Sequence, residues 1–314
     1  MTSSLPSLLV LLGPTASGKT GLSIELALRL NAEILSADSR QIYKHLDIGT
    51  AKPTQEQLEA VRHHFINEKL PTETFSAGQF GIEGRRVIAD IHARGKEAIV
   101  VGGSGLYIQS LTDGLFDGPE ADPEIREVLE AKVAHGMTGD LLDELRRVDP
   151  DSAVTADITK PRRIIRALEV FYLTGKPLSM HHRELKPEIG FSPLFVGLAW
   201  DRQLLYKHIE QRCDAMLEAG LEHEVSGLQA MGYDRRLNAL NTVGYAEVFA
   251  YKNGEISHEE MVRLFKQNSR RYAKRQMTWF RRDGRIQWVA MKEDRAPEDV
   301  LSEILAASRQ RSQA

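Results

Sequence analysis

The octet GPTASGKT, Gly13 to Thr20, follows directly on the apolar run Leu8 to Leu12 and opens the segment GKTGLSIELALRL. No other stretch restricts the fold as much. A short continuous apolar run reads as a strand buried on both faces. Leu22, Leu26 and Leu30 fall at helical spacing behind the loop. Strand, glycine loop and helix in that order give G-x-x-x-x-G-K-[ST] its required setting, which a chance glycine-rich turn would lack. The glycines let successive backbone N–H groups turn inward, and the positive end of the helix favours an anion. Lys19 adds a mobile positive charge, and Thr20 offers a hydroxyl to Mg2+. The loop holds phosphates without reading which molecule carries them.

The elements that follow predict the fold class. Asn31 closes the first helix, and Ala32 to Asp38 reads as a second strand. GIEGRRVIADIHARG reads as a helix with Ile82, Val87, Ile88 and Ile91 on its apolar stripe and Gly95 at its end. KEAIVVGGSGLYIQSL reads as a third strand running through a glycine turn into another helix. Strands alternating with helices predict right-handed crossovers and a parallel sheet. The rhythm breaks over residues 117–151, where eleven acidic side chains, Asp117 and Glu120 among them, face four basic ones. The patterns there are helical, and a further helix, ITKPRRIIRALEVFYLTGKP, has Pro161 in its first turn and Gly175 past its end. A β signal returns at PLFVGLAW, 193–200. The expected fold is α/β, a P-loop NTPase-like parallel-sheet core flanked by helices, formed by residues 1–114 and 193–314. A helical insertion domain over 115–192 interrupts it. A chain of 314 residues accommodates both.

Composition limits the partners. A net charge of −3 gives no global attraction to nucleic acid, so such a partner needs a local basic patch. The one cysteine, Cys213, excludes an intramolecular disulfide and a multi-thiolate zinc site. The N-terminal residues lack the basic segment of a signal peptide, and no run approaches the ~20 apolar residues of a membrane helix. A cytoplasmic protein with no membrane partner is expected. The pairs His63–His64 and His181–His182 point neighbouring side chains in different directions, and no carboxylate or thiolate completes a ligand set.

A nucleotide hydrolase usually adds a carboxylate at the end of a neighbouring strand to hold water on Mg2+. Here that strand ends IVVGGSG, with glycines in place of the acid. The other strand end, SADSRQIY, carries Asp38. An acid facing bound phosphates from a second strand tip suits a general base acting on an incoming acceptor, which favours group transfer over a hydrolytic motor. Asp38, Ser39, Arg40 and Gln41 crowd one strand end, where ligands of open α/β sheets sit. An amide beside a carboxylate can read the edge of a base such as adenine. The positive charge is concentrated in Arg263 to Arg285, nine Lys/Arg against one acid, with Phe265, Tyr272, Trp279 and Phe280 interleaved. On a continuous helix Arg271, Arg275 and Arg282 form one stripe, and Arg270, Lys274 and Arg281 the next. That is the footprint of an anionic ligand or an RNA backbone, although most of these cations suit a solvated face equally. A smaller cluster is Lys160, Arg162, Arg163 and Arg166.

The set GPTASGKT, SADSRQIYKHLDIGTAKP, VGGSGLYIQSL, RALEVFYLTGKP and AKRQMTWFRRD resembles the bacterial tRNA dimethylallyltransferases, from about Leu8 to about Trp288. The resemblance implies that the loop holds the diphosphate of dimethylallyl diphosphate rather than ATP. It implies as acceptor the exocyclic amine of the adenosine just 3′ of the anticodon, in tRNAs that read codons starting with U. By the same resemblance Gly13, Pro14, Thr15, Ala16, Ser17, Gly18, Lys19 and Thr20 bind the diphosphate, joined by Lys274, Arg275 and Arg281. Thr20 reaches Mg2+, the expected cofactor, and Asp38 is the general base. Asp38, Ser39, Arg40, Gln41, Ser104, Arg126 and the run Arg162, Arg163, Ile164, Ile165, Arg166 contact tRNA. Ser104 stands where the family usually has Thr, and Arg162–Arg163 where it usually has Gln-Arg. A monomer is expected. Two other enzymes share the loop and the strand-end acid, a P-loop kinase of a small metabolite and a transferase acting on free adenylate. A non-catalytic RNA-binding module would have no reason to keep Lys19, Thr20 and Asp38 together.

Overall fold

Strand β1, Ser7–Leu12, splits its side chains between two cores: Leu8, Val10 and Leu12 face one, Leu9 and Leu11 the other. That is why its sequence is apolar without alternation. The computed structural model describes residues 5–116, 118–119, 122–184 and 189–312, so Asp117 and Glu120 of the acidic run lie outside the described residues. After β1 come helix α1 (Lys19–Leu30), β2 (Ala32–Ala37), α2 (Gln55–Ala60), β3 (His63–His64), α3 (Ala77–Ala93), β4 (Glu97–Gly102) and α4 (Gly105–Asp113). Five helices follow: α5 (Pro123–Ala134), α6 (Thr138–Val148), α7 (Pro150–Val154), α8 (Pro161–Thr174) and α9 (Leu178–Glu184). The chain then forms β5 (Ser192–Trp200), α10 (Arg202–Glu218), α11 (Leu221–Ala230), α12 (Tyr245–Lys252), α13 (His258–Phe280), β6 (Gln287–Met291) and α14 (Pro297–Ser312).

The six strands form one sheet in the order β3-β2-β4-β1-β5-β6, every pairing parallel. From β1 the chain first builds β2, β3 and β4 on one side and later β5 and β6 on the other. The carboxyl end of β1 is therefore where an open α/β sheet parts to admit a ligand. Leu22 and Leu26 of α1 and Val300 and Ile304 of α14 cover one face. Phe80, Ile88, Tyr107, Ile209, Val225, Phe249 and Phe265 cover the other.

Residues Met1–Thr112 with Ile189–Ala314 form one compact unit, and Asp113–Glu188 a second. The second unit has its own core, with Leu129, Leu141, Leu145, Ile164 and Leu168 at most 1 % exposed. Its acidic character is not all surface. Asp149 is fully buried and caps α7, accepting from Ser152 N–H and Oγ and from Ser179 N–H.

Two helices depart from the pattern read in the sequence. Helix α3 begins at Ala77, ahead of Gly81, because Ser76 and Gln79 form a reciprocal capping box. Helix α13 ends at Phe280, so Arg282 lies beyond the helix and its stripe stops at Arg275, while Arg281 keeps the helical bond of its N–H to Met277 O. Buried Phe280 anchors the end, Arg281 is the C-cap, and the Asp283 carboxylate accepts the Arg285 N–H to turn the chain toward β6.

Candidate active site

Between β1 and α1 the loop Gly13–Gly18 closes on a left-handed residue, Gly18 at φ 87, a conformation glycine adopts without steric cost. Helix α1 has no side-chain cap and no acid in its first turn. Its orphan amides and its positive end are thus left for an anion. Lys19 folds back over the loop, Nζ donating to Gly13 O (3.0 Å), Pro14 O (2.6 Å) and Ser17 Oγ (3.3 Å). Burial and then the positive charge of Arg212 lower its pKa to about 7, against a smaller opposing pull from Asp38. Two side chains from afar fix the loop. The Trp200 indole at the tip of β5 donates to Ser17 O at 3.1 Å, and Gln276 Oε1 of α13 accepts the Thr15 N–H at 2.9 Å.

Asp38 leaves the tip of β2, where Ala37 pairs with Gly102 of β4. Its Oδ1 accepts the Arg40 N–H at 2.8 Å, which fixes the carboxylate and, among the described residues, leaves Oδ2 available. The Ser39 N–H donates to Ser104 Oγ at 3.2 Å. A single cavity is lined by Thr15, Ala16, Lys19 and Thr20 from the loop and by Asp38, Arg40 and Gln41 from the β2 tip. The diphosphate-type and acceptor-type residues are therefore brought together. Gln41, however, is occupied within the protein. Its Oε1 accepts the Ser36 hydroxyl, and its Nε2 donates to Thr50 O and Ala51 O. The amide that looked suited to reading a base edge holds a loop instead.

Residues that pattern reasoning passed over complete the cavity. Arg212 on α10 lines the same cavity as Asp38 and Lys19, and burial drives it below the usual guanidinium range against an opposing pull from Asp38. A lone arginine in IEQRCDAM reads like any surface charge, and no sequence signal separates it. Tyr272 of α13 is half-buried and lines the same cavity, and desolvation, then Asp38, raise its pKa to about 12. Gln276 bridges to Gly103 O at 2.9 Å. The glycines that replace an acid at the end of β4 seat α13. A Cβ on Gly103 would stand 2.1 Å from Gln276 Nε2, and one on Gly105 2.2 Å from the Trp279 ring. Lys274, Arg275 and Arg281 are exposed and do not line the cavity, though Arg275 lies 5.6 Å over the Tyr272 ring.

Within the helical unit the run Arg162–Arg166 divides by helix face. Arg162 and Arg163 are exposed in the first turn of α8. Ile164 and Ile165 are 0 % and 6 % exposed in the unit's core, so their side chains are closed to any RNA. Arg126 and Arg166 both bind the fully buried Glu169, at 2.8 and 2.7 Å. Burial pushes the Glu169 carboxyl up, but the two guanidiniums outweigh it and hold it below the usual range. His64 is bound to the buried Glu33, and His181 stacks on Phe116. No helix among the described residues is long and apolar enough to cross a membrane.

A phosphate loop at a helix N-terminus, faced by a carboxylate from a second strand tip, defines an α/β group-transfer enzyme of the phosphate-loop architecture. The sequence profile of the family described as IPP transferase matches residues 41–283, and the chain belongs to that family. It is 47 % identical over 284 residues to a tRNA dimethylallyltransferase of Geobacter metallireducens, covering 90 % of this chain and 92 % of the relative. It is 46 % identical over 296 residues to tRNA dimethylallyltransferase 1 of Trichlorobacter lovleyi, covering 93 % and 96 %. Among solved structures it is similar to the tRNA isopentenylpyrophosphate transferase of Bacillus halodurans (TM-score 0.71, 37 % identity, 98 % of each chain). It is also similar to a eukaryotic dimethylallyltransferase acting on tRNA (TM-score 0.79, 28 % identity, 98 % of this chain and 77 % of that one).

Proposed function

We propose that this protein is a tRNA dimethylallyltransferase. It moves the dimethylallyl group of dimethylallyl diphosphate to the exocyclic amine of the adenosine 3′-adjacent to the anticodon, in tRNAs reading codons that start with U, and releases diphosphate. The observation that carries the reading is the meeting of Asp38 with the phosphate loop in one cavity. The relatives' names support it.

The bond that breaks joins the allylic carbon to a diphosphate oxygen, and its electron pair leaves with the diphosphate. The amides at the start of α1, Lys19 and Arg212 stabilise that departing charge. The amine lone pair forms the new C–N bond, and its proton passes to Asp38 Oδ2. The site must exclude water, which would otherwise capture the allyl group. The residues fit Mg2+. Thr20, at the start of α1, lines the cavity and offers a hard oxygen donor of the kind Mg2+ takes. Thr20 would hold it, and it would neutralise charge on the diphosphate. The target base is stacked in the anticodon loop and must flip out to reach Asp38. Arg162 and Arg163 are exposed cations of the helical unit suited to tRNA phosphates.

The test is reaction of the enzyme with an unmodified tRNA and dimethylallyl diphosphate, followed by mass spectrometry of anticodon-loop nucleosides. Dimethylallyl-adenosine at the position 3′ of the anticodon is expected. Phosphoryl transfer from ATP, or transfer to free adenylate with none to tRNA, would replace this reading with one of its rivals.

A further inference from the structure

The stretch Asp47–Ala51 has no role in the chemistry above, yet Gly49, Thr50 and Ala51 line the same cavity as Asp38 and Thr20. The loop is held from two sides. From the sheet, Gln41 binds the carbonyls of Thr50 and Ala51, each at 3.2 Å. From the helices, the Glu224 carboxylate on α11 accepts three consecutive backbone N–H groups, Asp47 (3.0 Å), Ile48 (2.8 Å) and Gly49 (3.2 Å). Its Oε1 also accepts the Tyr245 hydroxyl at 2.5 Å. Three successive amides converging on one point form an anion-binding nest, here filled by the protein's own carboxylate. The fit is close, since a Cβ on Gly49 would lie 2.5 Å from the Tyr245 ring. Ala51 sits at φ 47, in the left-handed region that side chains other than glycine rarely adopt. Such a residue persists where its surroundings over-determine it, and it concentrates at ligand walls.

We propose that Glu224, supported by Tyr245, is a positioning residue for the acceptor. It presets the Asp47–Ala51 loop as the cavity wall on which the acceptor nucleoside packs. The inference rests on the acceptor reading given above. A wall already in place removes an ordering cost from binding. Releasing it raises the KM for tRNA, while the diphosphate side, built on β1 and α1, keeps its own supports.

Glu224→Gln keeps the size but turns an amide toward backbone donors, and Tyr245→Phe keeps the ring against Gly49 and loses only the hydroxyl. Hydrogen exchange is read first. In Glu224→Gln the amides of Asp47, Ile48 and Gly49 should exchange about tenfold faster or more, with those of β1 unchanged. Kinetics read the consequence: the KM for tRNA should rise about tenfold, and that for dimethylallyl diphosphate should stay within about twofold. Tyr245→Phe should move both readouts the same way by less, and it decides alone should Glu224→Gln fail to fold. Unchanged exchange at residues 47–49 overturns the clamp whatever the activity. Faster exchange with an unchanged KM for tRNA overturns the role in acceptor binding. A wild-type enzyme that modifies no tRNA would sink the functional reading, and the exchange data would still decide the clamp.

Discussion

Lys19 is folded onto the carbonyls of its own loop, and burial with Arg212 brings its pKa to about 7. A bound diphosphate opposes both influences and restores the ammonium. Near pH 8 binding must therefore take up a proton, and affinity should fall as pH rises above 7 toward the ordinary lysine value of 10.5. Over the same window the unfolded chain keeps a proton that the folded lysine has lost, so this group adds to stability as pH rises. Titration calorimetry at pH 8 in buffers of different ionisation enthalpy should show the uptake, and Lys19→Met should abolish it. Binding heats independent of buffer would refute the coupling. Asp38 admits a sharper test. Asp38→Asn keeps the size and one oxygen, so tRNA should still bind, while the single-turnover rate should fall ~10²–10⁴-fold. A wild-type rate in this variant would remove Asp38 as the base and leave the departing diphosphate as the proton acceptor.

Helix α13 links the two halves of the chemistry at the level of elements. Gln276 ties it to the loop at Thr15 and to the turn after β4 at Gly103, and Tyr272 sets one wall of the cavity. Gly103→Ala should thus act twice. It should cost about 1–3 kcal/mol through overpacking against the buried Gln276. It should also raise the KM for dimethylallyl diphosphate, because the displaced amide releases Thr15. Urea unfolding and steady-state kinetics measure the two effects, and a loss of stability with an unchanged KM would limit the glycine to packing. Helix α8 makes the complementary point, since Ile164 and Ile165 serve the helical unit's core and Arg166 serves the buried Glu169. Only Arg162 and Arg163 of that run stand clear of the unit's interior.

For the whole molecule, a net charge of −3 means that any attraction to tRNA comes from local patches. Binding should weaken steeply with salt, and Arg163→Ala should reduce the slope of log affinity against log salt by about one at most, as one lost phosphate contact would. Filter binding across a salt series checks this, and an unchanged slope and affinity would take Arg163 off the RNA surface. Arg166→Ala should behave differently, lowering the thermal stability of the helical unit as well, because it strips a partner from a buried carboxylate.

The parallel sheet, the phosphate loop and Asp38 at a strand tip were legible in the sequence because each is a local pattern. Burial on both faces writes an unbroken apolar run, a tight anion loop demands glycines at set spacing, and an acid ending a strand is visible as such. The roles of Arg212, Gln276, Glu224 and Gln41 were decided only by the tertiary structure. Each acts on a partner from 9 to 261 residues away along the chain, or through a charge it meets only in the folded cavity. Burial and hydrogen-bond partners are properties of that packing: in the sequence the Gln41 amide reads as free to meet a base, and the Arg212 guanidinium as one more solvated side chain.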